Sequence, residues 1–361
     1  MASSPRRHRE RRQELRARLA QADLASLLVT KPANVRYLTG FAGSYGAVLL
    51  LHDRTLFFTD RRYDRHVSSL IEEAELVLAP GDLIGAVVSV VSPLGEGLGF
   101  EPADLSFRDG QRLRSGLRGR PVVPAPQLVE DMREVKDEAE LACMAEAARL
   151  GDAALDETLG KLRPGVTERE VALELEVGMR RRGANGLAFP SIVAFGENAA
   201  EPHHQPGHRP LRAGDFVKLD FGARLDGYRS DTTRTAVLGR ASERQRELYE
   251  LVRRAQAAGL ATLRAGVTGD AIDRACRDVI AAAGMGDTFG HPAGHGIGLE
   301  VHEAPRVRAG ANGRIAAGTP VTVEPGVYLP GFGGVRLEDL AVVRRDGHDI
   351  LTTTTKELLE L

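Results

Sequence analysis

The chain has 361 residues, of which 42% are hydrophobic and 27% charged, with a formal net charge of −2. That length is enough for two domains, or three, and a sizeable core, while so balanced a charge gives no global attraction to nucleic acid or anionic membrane. Two cysteines exclude a disulfide framework or a thiolate metal cage, no apolar run approaches the roughly 20 residues of a membrane span, and the Arg-rich start lacks the apolar stretch of a secretory signal. A cytoplasmic protein with neither nucleic-acid nor membrane partners is expected.

Arg6, Arg7, Arg9, Arg11, Arg12, Arg16 and Arg18 crowd the first twenty residues, interrupted by Glu10 and Glu14, with Leu15, Leu19 and Leu24 at roughly helical spacing. The run reads either as an anion-binding arm or as a frayed tail leading into a solvated helix, and the interruptions favour the second. β-rich runs follow at 27–29, 47–51, 55–59, 76–78 and 98–101, and 84–91 fits a helix or a strand. This alternation predicts a small α/β domain with a mixed sheet. Pro121, Pro124 and Pro126 then mark a boundary, so the expected domains are 1–130 and 131–361. A long helix is predicted to open the second, over about 137–162.

The second domain repeats itself. Leu162-Arg163-Pro164-Gly165-Val166-Thr167 recurs 101 residues later as Leu263-Arg264-Ala265-Gly266-Val267-Thr268. Each Thr sits at a helix N-cap, Glu170 completes a capping box in the first copy, and the helices run to stop glycines at Gly183 and Gly284. A further echo pairs 213–222 with 317–326 and aligns Asp220 with Glu324. Two copies are too few for a solenoid. Duplication with pseudo-two-fold symmetry puts both acids on equivalent strands, facing one central site.

Any one of Asp220, Asp231, Glu324 and Glu338 could cap a turn. Together they are harder to dismiss, because each half delivers two carboxylates from neighbouring β segments. Four acids aimed at one interior repel by several kcal/mol unless protonated or bound to cations. A dinuclear metal centre resolves that conflict. The segment 291–303 offers the nitrogen ligand, with His295 between two glycines that permit close backbone approach. His302 follows seven residues on, and of the adjacent His203 and His204 one can face the site while the other faces away.

In the stretches 219–223, 227–235, 294–303, 324–328 and 333–339 the chain resembles the pita-bread metallopeptidases, the group of Xaa-Pro dipeptidase (prolidase), aminopeptidase P and methionine aminopeptidase. Residues 36–41 and 59–63 are similar to the N-terminal domain of the proline-specific branch, which methionine aminopeptidases lack. The resemblance implies an α+β fold, in which a creatinase-like α/β domain precedes a pita-bread catalytic domain with internal pseudo-two-fold duplication. It implies five metal ligands: Asp220, Asp231 as a bridge, His295 as the sole nitrogen, Glu324, and Glu338 as the second bridge. Two divalent ions are implied, with Mn²⁺ favoured on hardness and Co²⁺ or Zn²⁺ also able to bind. Such ions, roughly 3.5 Å apart, would share a water and make hydroxide the nucleophile near neutral pH, with Glu324 placed to take its proton.

His203 and His302 match histidines that contact substrate or stabilise the tetrahedral intermediate, and His291 resembles a third. Arg336 resembles a substrate contact, or else a partner that neutralises the carboxylates; Tyr228 and Arg234 brace the site. The implied activity is hydrolysis of the Xaa-Pro bond in proline-containing peptides. Xaa-Pro dipeptidase is preferred to aminopeptidase P, which takes longer peptides. A creatinase-like amidinohydrolase and a non-catalytic interaction protein share the fold but lose ligands, and all five positions are filled here. The group implies a homodimer. Threonines at 352–355 stand where the family often has a proline before the lysine.

Overall fold

In the computed structural model, which describes residues 4–361, the chain parts into two compact units, 4–133 and 134–361. The first unit is built on a mixed sheet of six strands among the described residues. In spatial order these are Glu75–Leu78, Thr55–Thr59, Ala47–Leu51, Ser26–Val29, Leu98–Phe100 and Val122–Pro124. Ala47–Leu51 lies antiparallel to both of its neighbours and the remaining pairs are parallel. Parallel pairing requires crossovers, and helices such as Leu83–Val91 and Phe107–Gly116 supply them. Residues 84–91 are therefore helical, with Asp82 accepting from the Gly85 amide as N-cap. The Pro-rich stretch contributes a sixth strand that the sequence did not announce. It lies at the sheet edge, where a proline deprives no neighbour of a ladder hydrogen bond.

The arginine run forms the helix Pro5–Gln21, capped by Ser4. It is not a frayed tail, and while one face is solvated the other is buried. Arg12, only 2% exposed, donates to the carbonyls of Leu38 (2.8 Å) and Glu72 (2.5 Å). Arg11 donates to the Tyr37 carbonyl at 3.1 Å and stacks on the Tyr37 ring. Tyr37 and Leu38 close the helix Pro32–Thr39, whose last carbonyls lack helical partners, so the guanidinium groups satisfy that end. Leu15 and Leu19 are buried beside them.

The second unit is helix, helix, then three strands, twice over. The first half has Glu138–Leu159, Glu168–Arg181 and the sheet Ile192–Phe195, Phe216–Phe221, Thr232–Val237. The second half has Glu243–Thr262, Gly269–Ala282 and the strands Gly294–Gly296, Pro320–Val323, Asp339–Val343. The matching signals behave alike: Thr167 and Thr268 are N-caps, and Gly183 and Gly284 both adopt positive φ just past their helices. Each half buries its strands under its own helices, giving two apolar cores. The hairpin Gly326–Leu329, Gly333–Arg336 bridges them, since Thr235 Oγ1 of the first half donates to the Arg336 carbonyl at 3.0 Å. The fold is α+β, with the creatinase-like and duplicated pita-bread architecture expected.

The threonines at 352–355 also have a physical role. Thr353 and Thr354 donate to the buried Asp152 carboxylate, and Thr352 to Asp339, so this segment is sewn to the rest of the second unit by side-chain hydrogen bonds.

Candidate metal centre

The two halves deliver acids from equivalent positions. Asp220 stands in the strand Phe216–Phe221, and Glu324 directly follows Pro320–Val323. Asp231 immediately precedes Thr232–Val237, and Glu338 immediately precedes Asp339–Val343. His295 is central in Gly294–Gly296. All five border one cavity of about 540 Å³, together with His203, His291, His302 and Arg336.

Ligand atoms of Asp231, His295 and Glu338 lie within 4.8 Å of one another. His295 Nε2 is 3.7 Å from Asp231 Oδ2 and 3.6 Å from Glu324 Oε1. Its Nδ1 lies 3.0 Å from the Gly296 carbonyl, which can only accept, so Nδ1 carries the proton and Nε2 the lone pair. Burial, with His302 and Arg306 nearby, pulls His295 down to about 3 and keeps it neutral. A lone pair facing two carboxylates is unfavourable unless a cation sits among them. The acids carry the same message. Burial and then Glu338, Asp220 and Glu324 push Asp231 well above the usual carboxylate range; burial and then Glu324 and Asp220 do so for Glu338. Burial raises Glu324 to about 7 against the pull of Arg336, and raises Asp220 as well.

Asp220 Oδ1 is buried without a hydrogen-bond partner among the described residues, although Arg336 donates to Oδ2. An orphaned carboxylate oxygen, a neutral imidazole and a surplus of buried acid fit divalent cations. The oxygen-rich set with one nitrogen suits Mn²⁺, Co²⁺ or Zn²⁺. Neighbouring groups hold the ligands in place: Thr233 Oγ1 donates to Glu338 at 2.7 Å, and the Thr322 hydroxyl accepts from the His295 amide and donates to Glu324. The glycines flanking His295 serve neighbouring strands rather than a ligand. A Cβ on Gly294 would overlap the Thr322 carbonyl, and one on Gly296 the Ala304 carbonyl.

The histidines outside this set divide. His203 and His302 are exposed in the cavity, with the His302 ring edge-on to His295 at 4.4 Å between centroids. His291 has both ring nitrogens engaged, Nδ1 with the Pro292 carbonyl and Nε2 with the Tyr328 hydroxyl, each at 2.8 Å, so neither is open to a substrate. Tyr328 in turn accepts from Arg336 at 3.1 Å. Arg336 is 3% exposed and also donates to Thr233 and to the Pro202 carbonyl, contacts that suit a neutralising partner of the acids. Of the adjacent pair, His204 turns to Glu168 (2.9 Å) and Glu201 (2.7 Å).

Three groups escaped the sequence reading. Lys218, two residues before Asp220, is wholly buried, and desolvation together with Arg336 pulls it down to about 6. A charge inside the apolar run Phe216-Val217-Lys218-Leu219 was its visible signal. Arg306 borders the cavity with no side-chain hydrogen bond or ion pair among the described residues. Ser191 offers a buried hydroxyl in the same wall, with no hydrogen-bond partner among the described residues.

Buried acids and a neutral imidazole, converging from two copies of one motif, define a divalent-metal enzyme. Residues 142–345 match the model of metallopeptidase family M24, and residues 11–135 match the creatinase/prolidase N-terminal domain. The chain is 38% identical over 350 residues to the uncharacterized peptidase YqhT of Bacillus subtilis, covering 97% of this chain and 99% of that one. Among solved structures it superposes on an Xaa-Pro dipeptidase from Bacillus anthracis with a TM-score of 0.95 at 39% identity, covering 98% and 100% of the two chains. An X-Pro aminopeptidase from Thermotoga maritima matches with a TM-score of 0.88 at 34% identity, covering 95% and 100%. The chain belongs to metallopeptidase family M24.

Proposed function

We propose that this chain hydrolyses Xaa-Pro peptide bonds with two divalent cations held by Asp220, Asp231, His295, Glu324 and Glu338, and that it is an Xaa-Pro dipeptidase. The observation that carries the reading is the unpartnered Asp220 Oδ1 among acids that burial and mutual repulsion leave uncompensated. When bound, such cations supply Lewis acidity to a carbonyl and lower the pKa of water toward neutrality. Glu324, steadied by a hydrogen bond from Thr322, is the carboxylate placed to accept and return a proton. His203 and His302, exposed in the cavity, donate hydrogen bonds to oxygens that gain charge in the transition state. Arg336 donates to Asp220 and offsets part of the cost of its burial, and Tyr328 and His291 hold Arg336.

The dipeptide preference is supported by Arg306, whose guanidinium is available to a free carboxylate, and by the likeness to the B. anthracis dipeptidase. Phe189, Pro190, Ile192 and Pro202 give the wall an apolar surface for a proline ring. Mn²⁺ as the working metal, a homodimer and a cytoplasmic location complete the reading. No helix among the described residues is long and apolar enough to cross a membrane. The T. maritima likeness keeps aminopeptidase P as the second reading. Hydrolysis of Ala-Pro beside Ala-Pro-Ala by the Mn²⁺-loaded protein decides between them. Cleavage of the dipeptide alone is expected; cleavage of the tripeptide would move the assignment to aminopeptidase P, and cleavage of neither would remove the Xaa-Pro specificity.

A further inference from the structure

Two strands that carry or adjoin the acids also carry buried cations, and both cations close on one loop. Lys218 stands two residues before Asp220, so its side chain leaves the strand on the same face. Nζ donates to the carbonyls of Ala199 at 3.1 Å and Glu201 at 2.5 Å, and lies 5.2 Å from the Tyr328 ring centroid. Arg336 takes the next carbonyl, that of Pro202, at 3.0 Å. The residue after Pro202 is His203. Beyond it, His204 is fastened to Glu168, which is fully buried and also accepts from the Phe195 and Gly207 amides. His203 is thus an exposed residue in a loop tied down on both sides.

A methionine would fill the Lys218 site without the penalty of removing an amine from water. Lys218 makes no ion pair with a carboxylate among the described residues, so its contacts with the two carbonyls and the tyrosine ring are what it contributes. The two carbonyls lie at the end of the short turn Gly196–Ala200. We propose that Lys218 is a positioning residue for the reaction: from the strand that carries Asp220 it fixes the end of this turn, so that His203 stands in the cavity beside Asp220 and His302.

The proposal rests on the reading of His203 as a substrate contact, and a double-variant cycle tests it. Lys218→Met is expected to lower kcat/KM for Ala-Pro about tenfold in the parent, with bound metal unchanged, because small misplacement of a catalytic group is expensive in rate. In a His203→Ala background the same change should cost less than about twofold. Amides of 196–204 should exchange hydrogen faster in Lys218→Met than in the parent. Equal factors in the two backgrounds, a His203→Ala variant as active as the parent, or unaltered exchange of the loop would each overturn the proposal. Should Lys218→Met not fold, Lys218→Gln, which keeps one short donor, enters the same cycle with the same criteria. A parent inactive on Ala-Pro would contradict the proposed function instead, and loop exchange then decides the case of Lys218 alone.

Discussion

In the metal-free protein, Glu324 is 17% exposed and shares its cavity with Asp220, Asp231 and Glu338, each of which feels its charge or adds to it. Folding raises its pKa from 4.5 to about 7. A raised carboxylate stabilises the fold fully below its unfolded value and loses that contribution as pH climbs through the folded one. The difference of about 2.5 units corresponds to about 3 kcal/mol, present at pH 4 and absent at pH 8. Glu324→Gln removes the ionisation and keeps the shape. At pH 8 the chelator-treated variant should therefore exceed the parent in stability by about 3 kcal/mol, or about 6–12 °C in Tm for a unit of this size. At pH 4 the two should nearly coincide. Added Mn²⁺ should raise the Tm of the parent and have little effect on the variant, because a ligand stabilises only the state that binds it. Thermal unfolding at both pH values, with chelator and with Mn²⁺, reads all of this. A metal-free variant less stable than the parent at pH 8 would refute the claim that these acids are packed for a cation.

Asp231→Ala should abolish Ala-Pro hydrolysis and release bound metal, measured together by assay and elemental analysis; full metal content with retained turnover would remove Asp231 from the ligand set. His302→Ala should lower kcat by about 10²-fold while metal stays bound, and loss of metal would make His302 a ligand instead. In the first unit, His8 Nδ1 donates to the Tyr37 carbonyl at 3.0 Å, and burial brings its pKa from 6.5 down to about 4. Its contribution is full above pH 6.5 and is lost as pH falls toward 4, up to about 3 kcal/mol. His8→Gln should flatten the stability profile in that window, and an unchanged slope would show that His8 does not titrate with unfolding.

How far the sequence could be read depended on whether a residue's signal was local. The strands at 47–51 and 55–59 are apolar runs between turn residues, and the duplicated caps at Thr167 and Thr268 are motifs of four or five residues. Such features are visible without knowing the partner. Asp220, Asp231, Glu324 and Glu338 became a set only through the internal repeat, which tells where two distant strands must face each other. The strand Val122–Pro124 was hidden because its proline, with Pro121 just before it, is tolerated only by an edge position that the sequence does not display. Arg11 and Arg12 read as surface charge, since their partners are main-chain carbonyls of another helix. His291 shares a histidine's signal with His203, yet it differs in having both nitrogens occupied by groups one and thirty-seven residues away. Lys218 was legible in principle, as a cation in an apolar strand on the face of Asp220, but its carbonyl partners lie in a loop seventeen and nineteen residues upstream.

The central claim is that cations at this carboxylate and imidazole cluster drive Xaa-Pro hydrolysis, and titrating Mn²⁺ into chelator-stripped protein while following Ala-Pro cleavage tests it most directly. The account predicts no turnover in stripped protein and a rise that reaches its plateau at two equivalents of metal per chain. Undiminished cleavage by protein verified to be free of metal would contradict it.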